Sequence, residues 1–354
     1  MSGSGRVGFI VVGMGGVGSS LIAGILAARG HLVHPDGSLV EAGALRPQIP
    51  LTELNDLEIG AFELRDDDAH RAAVRAGFIS RSLLDELRPD LRRIRAMQGA
   101  RQAPTRRHLA DALSEDMRGF LAHHHCSRGV VVCTLPGVRS APPKMGFSSD
   151  EVWKALEQSA DWVTPGVVYA AAAAQAGCGF VAVGRDAALG APGIPEMFAE
   201  RNLPIAGAGL LGPDALLRET VAQVLAAEAM SMSGAASLST RAEERGARLW
   251  GGPDRTSEMA LGCSWAGGAF EVSIELRGQV ALYLAGRSLD AALFVELAGR
   301  AGRSGAQLWM DPLFATPLGS TIPRAAAQGT LLERRAAMMA ELSVLASVAS
   351  REAA

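Results

Sequence analysis

The sequence predicts an α/β protein in which a doubly wound parallel sheet carries a smaller α/β unit. Three observations lead there. An apolar, β-branched run of strand length, Arg6 to Val12, feeds directly into the turn Gly13-Met14-Gly15-Gly16-Val17-Gly18, and a helical segment then runs from Ser19 to Arg29. Two further apolar runs, Gly129 to Thr134 and Gly179 to Val183, bracket the helical segment Gly166 to Ala176, and strands that alternate with helices form parallel sheets. Beyond Met230 the texture changes to Ser, Gly and Arg as far as Gly252, and alternating strands resume at Ala269, which marks a second unit.

The remaining elements follow from their periods. Leu83, Leu84, Leu87, Leu91 and Ile94 recur at helical spacing through Arg81 to Met97. Pro89 is expected to break or kink that helix, because it lacks an amide and its ring crowds the carbonyl four residues back. Leu216 to Met230 is another apolar-periodic helix. Alternation in Ala269 to Leu276 and again in Val280 to Leu284 predicts two strands of a small sheet joined across Arg277 to Gln279, followed by a helix from Leu289 to Ala301. A closing helix is expected from Gly329 to Ala354.

Composition narrows the partners. A chain of 354 residues suits about two domains. A net charge of -3 leaves no clustered excess of Lys and Arg, so nucleic acid and acidic membrane surfaces are not expected partners. Cys126, Cys133, Cys178 and Cys263 are widely spaced without a C-x-x-C pair, which fits a reducing, cytoplasmic setting. The apolar N-terminal run imitates a signal peptide, but its glycines form the turn above and only Arg6 flanks it. Val167 to Ala176 is shorter than the roughly 20 apolar residues a bilayer span needs. No metal is expected at His123-His124-His125-Cys126, since consecutive residues on a helix point to different faces.

Gly13, Gly15 and Gly18 keep the G-x-G-x-x-G spacing between a strand and a helix. The first glycine permits the turn, the second lets the backbone approach a pyrophosphate, and the third lets helix and strand pack closely. Helix N-terminal amides then face the phosphates. Nucleotide binding is expected, with a ligand-free glycine turn as the plainer alternative. Ser19 and Ser20 either cap the helix or donate to phosphate. An acid that binds ribose belongs at the end of the second strand. Asp36 lies in a Pro-Asp-Gly turn, whereas Glu63 ends a short strand before a helix beginning near Asp66, so Glu63 is the better candidate, with a solvated loop acid as its alternative.

Several segments together resemble the myo-inositol-1-phosphate synthase family. The glycine turn with Ser19-Ser20 is similar to that family's G-x-G-x-x-x-S-[ST] opening, and Ile59-Gly60-Ala61-Phe62-Glu63-Leu64 to its F-x-G-W-D-I. Leu87-Arg88-Pro89 through Met97-Gln98-Gly99 resembles L-x-P-x-L-x-x-[IM]-x-P-x-x-G. Thr164-Pro165-Gly166-Val167-Val168-Tyr169-Ala170, Gly177-Cys178 and Arg201-Asn202-Leu203-Pro204-Ile205-Ala206-Gly207 resemble S-T-L-Y-A, E-G-C and R-N-V-P-I-A-G. The resemblance implies a Rossmann-type domain over 1–225, an inserted catalytic and tetramerisation domain over 226–310, and a return to the first domain over 311–354. It implies a homotetramer with NAD as cofactor, held by Gly13, Gly15, Gly16, Gly18, Ser19, Glu63 and Thr134. It also implies a phosphorylated sugar or cyclitol as substrate. The family closes glucose 6-phosphate into a carbocycle by internal oxidation, enolisation, ring closure and reduction.

The chemical centre departs from that pattern. Val183 to Leu189 stands in place of the family's N-G-S-P-Q-N-T, and Gly207 to Leu216 in place of G-D-D-x-K-S-G-x-T-K, so both lysines and both aspartates of that loop become apolar residues or glycine. Lys144 and Lys154 are the only lysines among 34 basic residues, and neither falls in these segments. Arginine supplies fixed charge to phosphate or an oxyanion but stays protonated. Arg185, Arg218 and Arg241 are therefore candidate phosphate holders, and a base has to be a carboxylate or imidazole. Asp186, Asp214 and Asp290 are candidates, each of which also reads as a cap or turn residue. Losing one oxyanion donor costs about 2.7–4 kcal/mol of barrier. Three functions stay open: a divergent cyclase or isomerase with an internal redox cycle, an ordinary NAD-dependent dehydrogenase of a phosphorylated sugar or cyclitol, and a non-catalytic NAD-binding partner of a competent synthase.

Overall fold

The computed structural model describes residues 5–41, 45, 49–99, 101–138, 147–227, 231–240, 254–263, 269–320 and 329–352; for Arg218, 226–227 and the strands between 231 and 277 it describes the backbone alone. Its centre is a seven-stranded sheet in which every pair of neighbours is parallel. β1 (Val7–Val12) lies between β2 (Leu57–Glu63) and β4 (Arg128–Cys133). β3 (Ala96–Gln98) extends one side, and β5 (Cys178–Ala182), β6 (Pro204–Ala206) and β10 (Gly305–Ala306) extend the other.

β1 is buried along its whole length, which is why its sequence is apolar without alternation. Helices cover both faces. One face carries α1 (Gly16–Arg29), α2 (Ala69–Ala76), α3 (Arg81–Arg93), α9 (Val280–Arg300) and α10 (Leu331–Glu352). The other carries α4 (Arg106–His123), α5 (Ser149–Glu157), α6 (Pro165–Ala176) and α7 (Gly193–Ala199). The chain leaves β1 toward β2 and β3, then resumes on β1's other side with β4. That reversal creates a crevice beyond the C-terminal strand ends, where nucleotides bind in doubly wound sheets.

Two expectations about single elements need correction. α3 runs through Pro89 to Arg93. Pro89 sits on its exposed face, where a carbonyl left without its helical amide faces solvent at little cost. Val280 to Leu284 is not a strand but the opening of α9. Every residue of that helix from Ser288 to Ala298 is buried, so it shows no polar stripe to announce a helical period.

The smaller sheet is antiparallel, in the order β7 (Ser231–Thr240), β8 (Asp254–Cys263) and β9 (Ala269–Gly278). α8 (Pro213–Ala227) leads into it and packs against β7 and β8. The chain rejoins the large sheet at Val280: α9 packs on α1, β4, β5 and β6, and β10 pairs with β6. The limit expected at 310 for the inserted unit thus falls among the large sheet's own elements.

Two buried acids on α9 pin the segment between α1 and β2. Asp290, 0 % exposed, accepts from the Ser38 hydroxyl at 2.6 Å and from the amides of Leu39 at 2.8 Å and Val40 at 3.2 Å. Glu296 accepts from Thr52 at 2.9 Å, Arg128 at 2.8 Å and Arg300 at 3.0 Å. A carboxylate this buried survives only with such a set of donors.

Candidate functional site

The ends of β1, β2 and β4 meet at the glycine turn. Gly13 has φ 88°, a left-handed backbone that disfavours a side chain, and its amide donates to the Phe62 carbonyl at 2.9 Å. A Cβ on Gly18 would lie 2.0 Å from the Gly13 oxygen and 2.9 Å from Thr134 Oγ1, so α1 closes on β1 only with glycine there. Gly15, the N-cap of α1, has nothing within 4 Å of its Cβ position. Bare backbone at the positive end of a helix is the surface a pyrophosphate approaches. Gly16 has a different role, since a Cβ there would meet the Phe78 ring at 2.6 Å.

Side chains fix this turn. The Thr134 hydroxyl, at the end of β4, donates to the Gly13 carbonyl at 2.7 Å and shares that hydrogen with Val12 at 3.0 Å. Ser19 is 1 % exposed and donates back to the Gly15 carbonyl at 2.6 Å. Ser20 turns into the core, so neither serine caps α1. Glu63 ends β2 with one carboxylate oxygen accepting from the Met14 amide at 2.8 Å and the other from the Leu64 amide at 2.8 Å. Arg75 stands 3.9 Å from it. Asp36 lies elsewhere, its side chain 82 % exposed and paired with His34.

A cavity of about 410 Å³ runs along these strand ends, lined by Gly13, Glu63, Gly99, Tyr169 and Asp186 among mostly apolar neighbours. Tyr169 donates to the Gly99 carbonyl at 2.7 Å, and burial pushes its phenol well above the usual range. Arg106 brings a guanidinium to the wall, held by the carbonyls of Ser159 and Ala160. Neither residue was singled out from sequence for this site. A basic residue directly after the helix cap Thr105 was the available signal for Arg106.

Of the candidate catalytic residues whose side chains are described, only Asp186 lines the cavity. Asp186 is 7 % exposed and accepts from the Thr164 hydroxyl and, at 3.1 Å, from the Ala188 amide. Burial raises its pKa, and the two hydrogen bonds partly oppose that. It therefore caps the short helical turn Ala187–Gly190 and walls the cavity at once. Arg185 is exposed, its stem crossing Gly209, whose Cβ would lie 2.4 Å from Arg185 Cγ. Asp214 folds back over the start of its own helix, with Oδ1 2.4 Å from a Cβ placed on Gly212, and does not line the cavity. Arg218 belongs to α8, but its side chain lies outside the described residues, as does Arg241 altogether. Asp290 is excluded as a base by its burial on α9.

The loop compared above with the lysine-bearing segment is part of the core. Leu210 and Leu211 are each 5 % exposed; the Leu211 amide donates to the Leu313 carbonyl at 2.9 Å, and Ala208 exchanges hydrogen bonds with Thr316. Lys154 is exposed on α5, and Lys144 lies outside the described residues. The described residues hold no group of three or more metal-ligating side chains.

The open Gly15, the left-handed Gly13 and a carboxylate ending β2 together fit a dinucleotide. A profile of NAD-binding myo-inositol-1-phosphate synthases matches residues 7–318. The chain belongs to the myo-inositol-1-phosphate synthase family. NAD is its cofactor. Inositol-3-phosphate synthase 1 of Bacteroides thetaiotaomicron is 24% identical over 389 residues, covering 89% of this chain and 90% of that protein. Inositol-3-phosphate synthase of Caenorhabditis elegans superposes with a TM-score of 0.83 at 14% identity, over 97% of this chain and 86% of that one. A myo-inositol-1-phosphate synthase-related protein of Thermotoga maritima gives 0.71 at 17% identity, over 95% and 98%. Both superpositions describe a shared fold, and no helix of the described residues is long and apolar enough to cross a membrane.

Proposed function

We propose that this member of the family is an NAD-dependent cyclase or isomerase, which oxidises a hydroxyl of a phosphorylated sugar or cyclitol, rearranges the carbon skeleton next to the new carbonyl and reduces it again. One observation carries the reading: Gly13 of the glycine turn, Glu63 and the buried Asp186 line a single crevice. NAD supplies the hydride acceptor and returns the hydride. Gly15 leaves room for its pyrophosphate and Glu63 takes ribose hydroxyls. Asp186, with its pKa raised by burial, receives the hydroxyl proton. Arg185 supplies fixed positive charge to the substrate phosphate. Glucose 6-phosphate is the first substrate to test. A tetramer built through the three-stranded sheet, in the cytoplasm, belongs to the same proposal.

The test is phosphorus NMR of pure protein with NAD and glucose 6-phosphate, with mass detection of an isomeric product and absorbance monitoring of NADH. An isomeric phosphate ester without NADH accumulation is the expected result. Accumulating NADH would make the protein a dehydrogenase. Unchanged substrate, with NAD bound, would reject the parent activity. A second reading, a non-catalytic NAD-binding partner of a competent synthase, draws on the burial of Leu210 and Leu211 where the family carries its charged loop; turnover by the pure chain excludes it.

A further inference from the structure

Among its described lining residues the cofactor crevice has a single cation, Arg106, set against the carboxylates of Glu63 and Asp186. Arg106 opens α4, whose first turn holds no acid to offset a cation at the positive end of the helix. Its Nη1 donates to the carbonyls of Ser159, at 3.1 Å, and Ala160. Both acceptors are neutral, so they fix the guanidinium without neutralising it, and among the described residues Arg106 forms no ion pair.

The support for that guanidinium is itself unusual. Ser159 follows the end of α5 with a left-handed backbone, φ 51°, at a position that helices usually give to glycine. A glycine would end the helix with less strain, but it would lack the hydroxyl that accepts from the Arg106 amide at 2.9 Å. Local preferences are thus overridden twice around one side chain, the pattern expected where a residue is held for a ligand and not for the fold.

Glu63 decides which part of NAD comes to this wall. An acid at the end of the second strand takes the hydroxyls of the adenosine ribose, so the adenine attached to that ribose lies in the crevice beside Glu63. Leu64 and Gly99 adjoin Glu63 there, the Gly99 amide donating to the Glu63 carbonyl at 2.8 Å, and Leu109 and Leu113 of α4 line the crevice with Arg106. A phosphate dianion among these leucines would exchange its water for apolar side chains and one guanidinium that is already partly engaged, a costly burial of charge. A neutral aromatic ring keeps the leucine contacts and meets the guanidinium through its π face.

We propose that Arg106 is a cofactor-binding residue whose guanidinium packs against the adenine ring of NAD. The proposal rests on the reading of Glu63 as the ribose acid and is independent of which reaction the crevice performs.

Calorimetric titration of the full-length chain with NAD and with ADP-ribose, which lacks the nicotinamide, tests it. Arg106→Gln keeps a donor for the Ser159 and Ala160 carbonyls and loses the charged plane. It is expected to weaken both ligands alike by roughly three- to thirtyfold, the range of a cation–π contact at a partly desolvated site. Inorganic phosphate and glucose 6-phosphate, titrated into NAD-saturated protein, should respond equally in the native chain and the variant. The unmodified protein gives an independent reading: the 8-azidoadenine analogue of NAD, photolysed in the complex, is expected to label the segment 106–113, and excess ADP-ribose to prevent it. Glu63→Gln, titrated alongside, separates the two residues. ADP-ribose weakened by Arg106→Gln but not by Glu63→Gln would remove the ribose role of Glu63 and keep Arg106 at the adenosine end. The proposal is overturned if folded Arg106→Gln binds ADP-ribose as tightly as the native chain, if only the phosphate probes weaken, or if the photolabel lies wholly outside α4.

Discussion

The Met14 amide donates to Glu63 at 2.8 Å, so the carboxylate that ends β2 is held against the glycine turn that follows β1. A prepaid orientation of this kind makes Glu63 worth more than an acid free to rotate. Glu63→Gln removes the charge and keeps the shape. NAD affinity is expected to fall by roughly tenfold to a hundredfold, the worth of about 1.5–3 kcal/mol for a charged hydrogen bond. Calorimetry on the pure protein checks it, and an unchanged Kd would remove Glu63 from the site.

Two glycines of the same turn should respond in opposite ways. Gly15→Ala places its Cβ in open space, so the fold keeps its stability while NAD binding is lost to the added methyl. Gly18→Ala drives a Cβ against the Gly13 oxygen, where it would lie only 2.0 Å away. That overpacking costs about 1–3 kcal/mol of folding stability. Urea melts and NAD titrations on both variants separate the cases.

Much of this turn was legible in the sequence, because spacing, preceding strand and following helix agreed. Glu63 was legible for a related reason: a short strand before a helix puts its last residue at the sheet's edge. α9 was not. Its apolar residues run without a polar face because the helix is enclosed by the sheet and α1, so alternation in Val280 to Leu284 matched a strand as well as a helix. Asp290 read as a candidate base because sequence reveals a carboxylate but not the three donors, distant in the chain, that consume it. Asp214 and Arg185 show the same limit, since convergence of side chains depends on loop geometry that no local period encodes.

Burial lifts the Asp186 carboxyl above its ordinary 3.8. A group with a higher pKa in the folded state binds more protons there, so it favours folding at low pH and loses that contribution as pH rises through its folded value. Relative to Asp186→Asn, the native protein is expected to lose stability progressively from about pH 4 upward. Urea midpoints of the two proteins across that range give the difference; parallel curves would mean that Asp186 titrates normally.

Removing the Asp290 anchor between α9 and the segment that follows α1 is expected to be severe. Asp290→Ala leaves the Ser38 hydroxyl and two buried amides without acceptors, a loss of about 3–5 kcal/mol comparable to breaking a buried ion pair. Asp290→Asn, which keeps an acceptor oxygen, should lose less. Chemical denaturation of both variants tests the order.

Arg185→Gln tests the phosphate assignment. NAD affinity should hold, while KM for a phosphorylated substrate rises by roughly tenfold or more, the worth of one charge-assisted contact. An equal effect on an unphosphorylated analogue would point away from phosphate.

The bond between Ser38 and Asp290 spans 252 positions of the chain. On the ribosome, where about 5–20 residues are added each second, Ser38 emerges roughly ten to fifty seconds before its acceptor. During that interval β4, β5 and the inner face of α1 exist without the helix that covers them. The nascent chain therefore carries an exposed apolar sheet until the small antiparallel sheet has been made and α9 follows it. A lower growth temperature, which weakens apolar association, should raise soluble yield, and a chain stopped after β9 should be held by chaperones or aggregate.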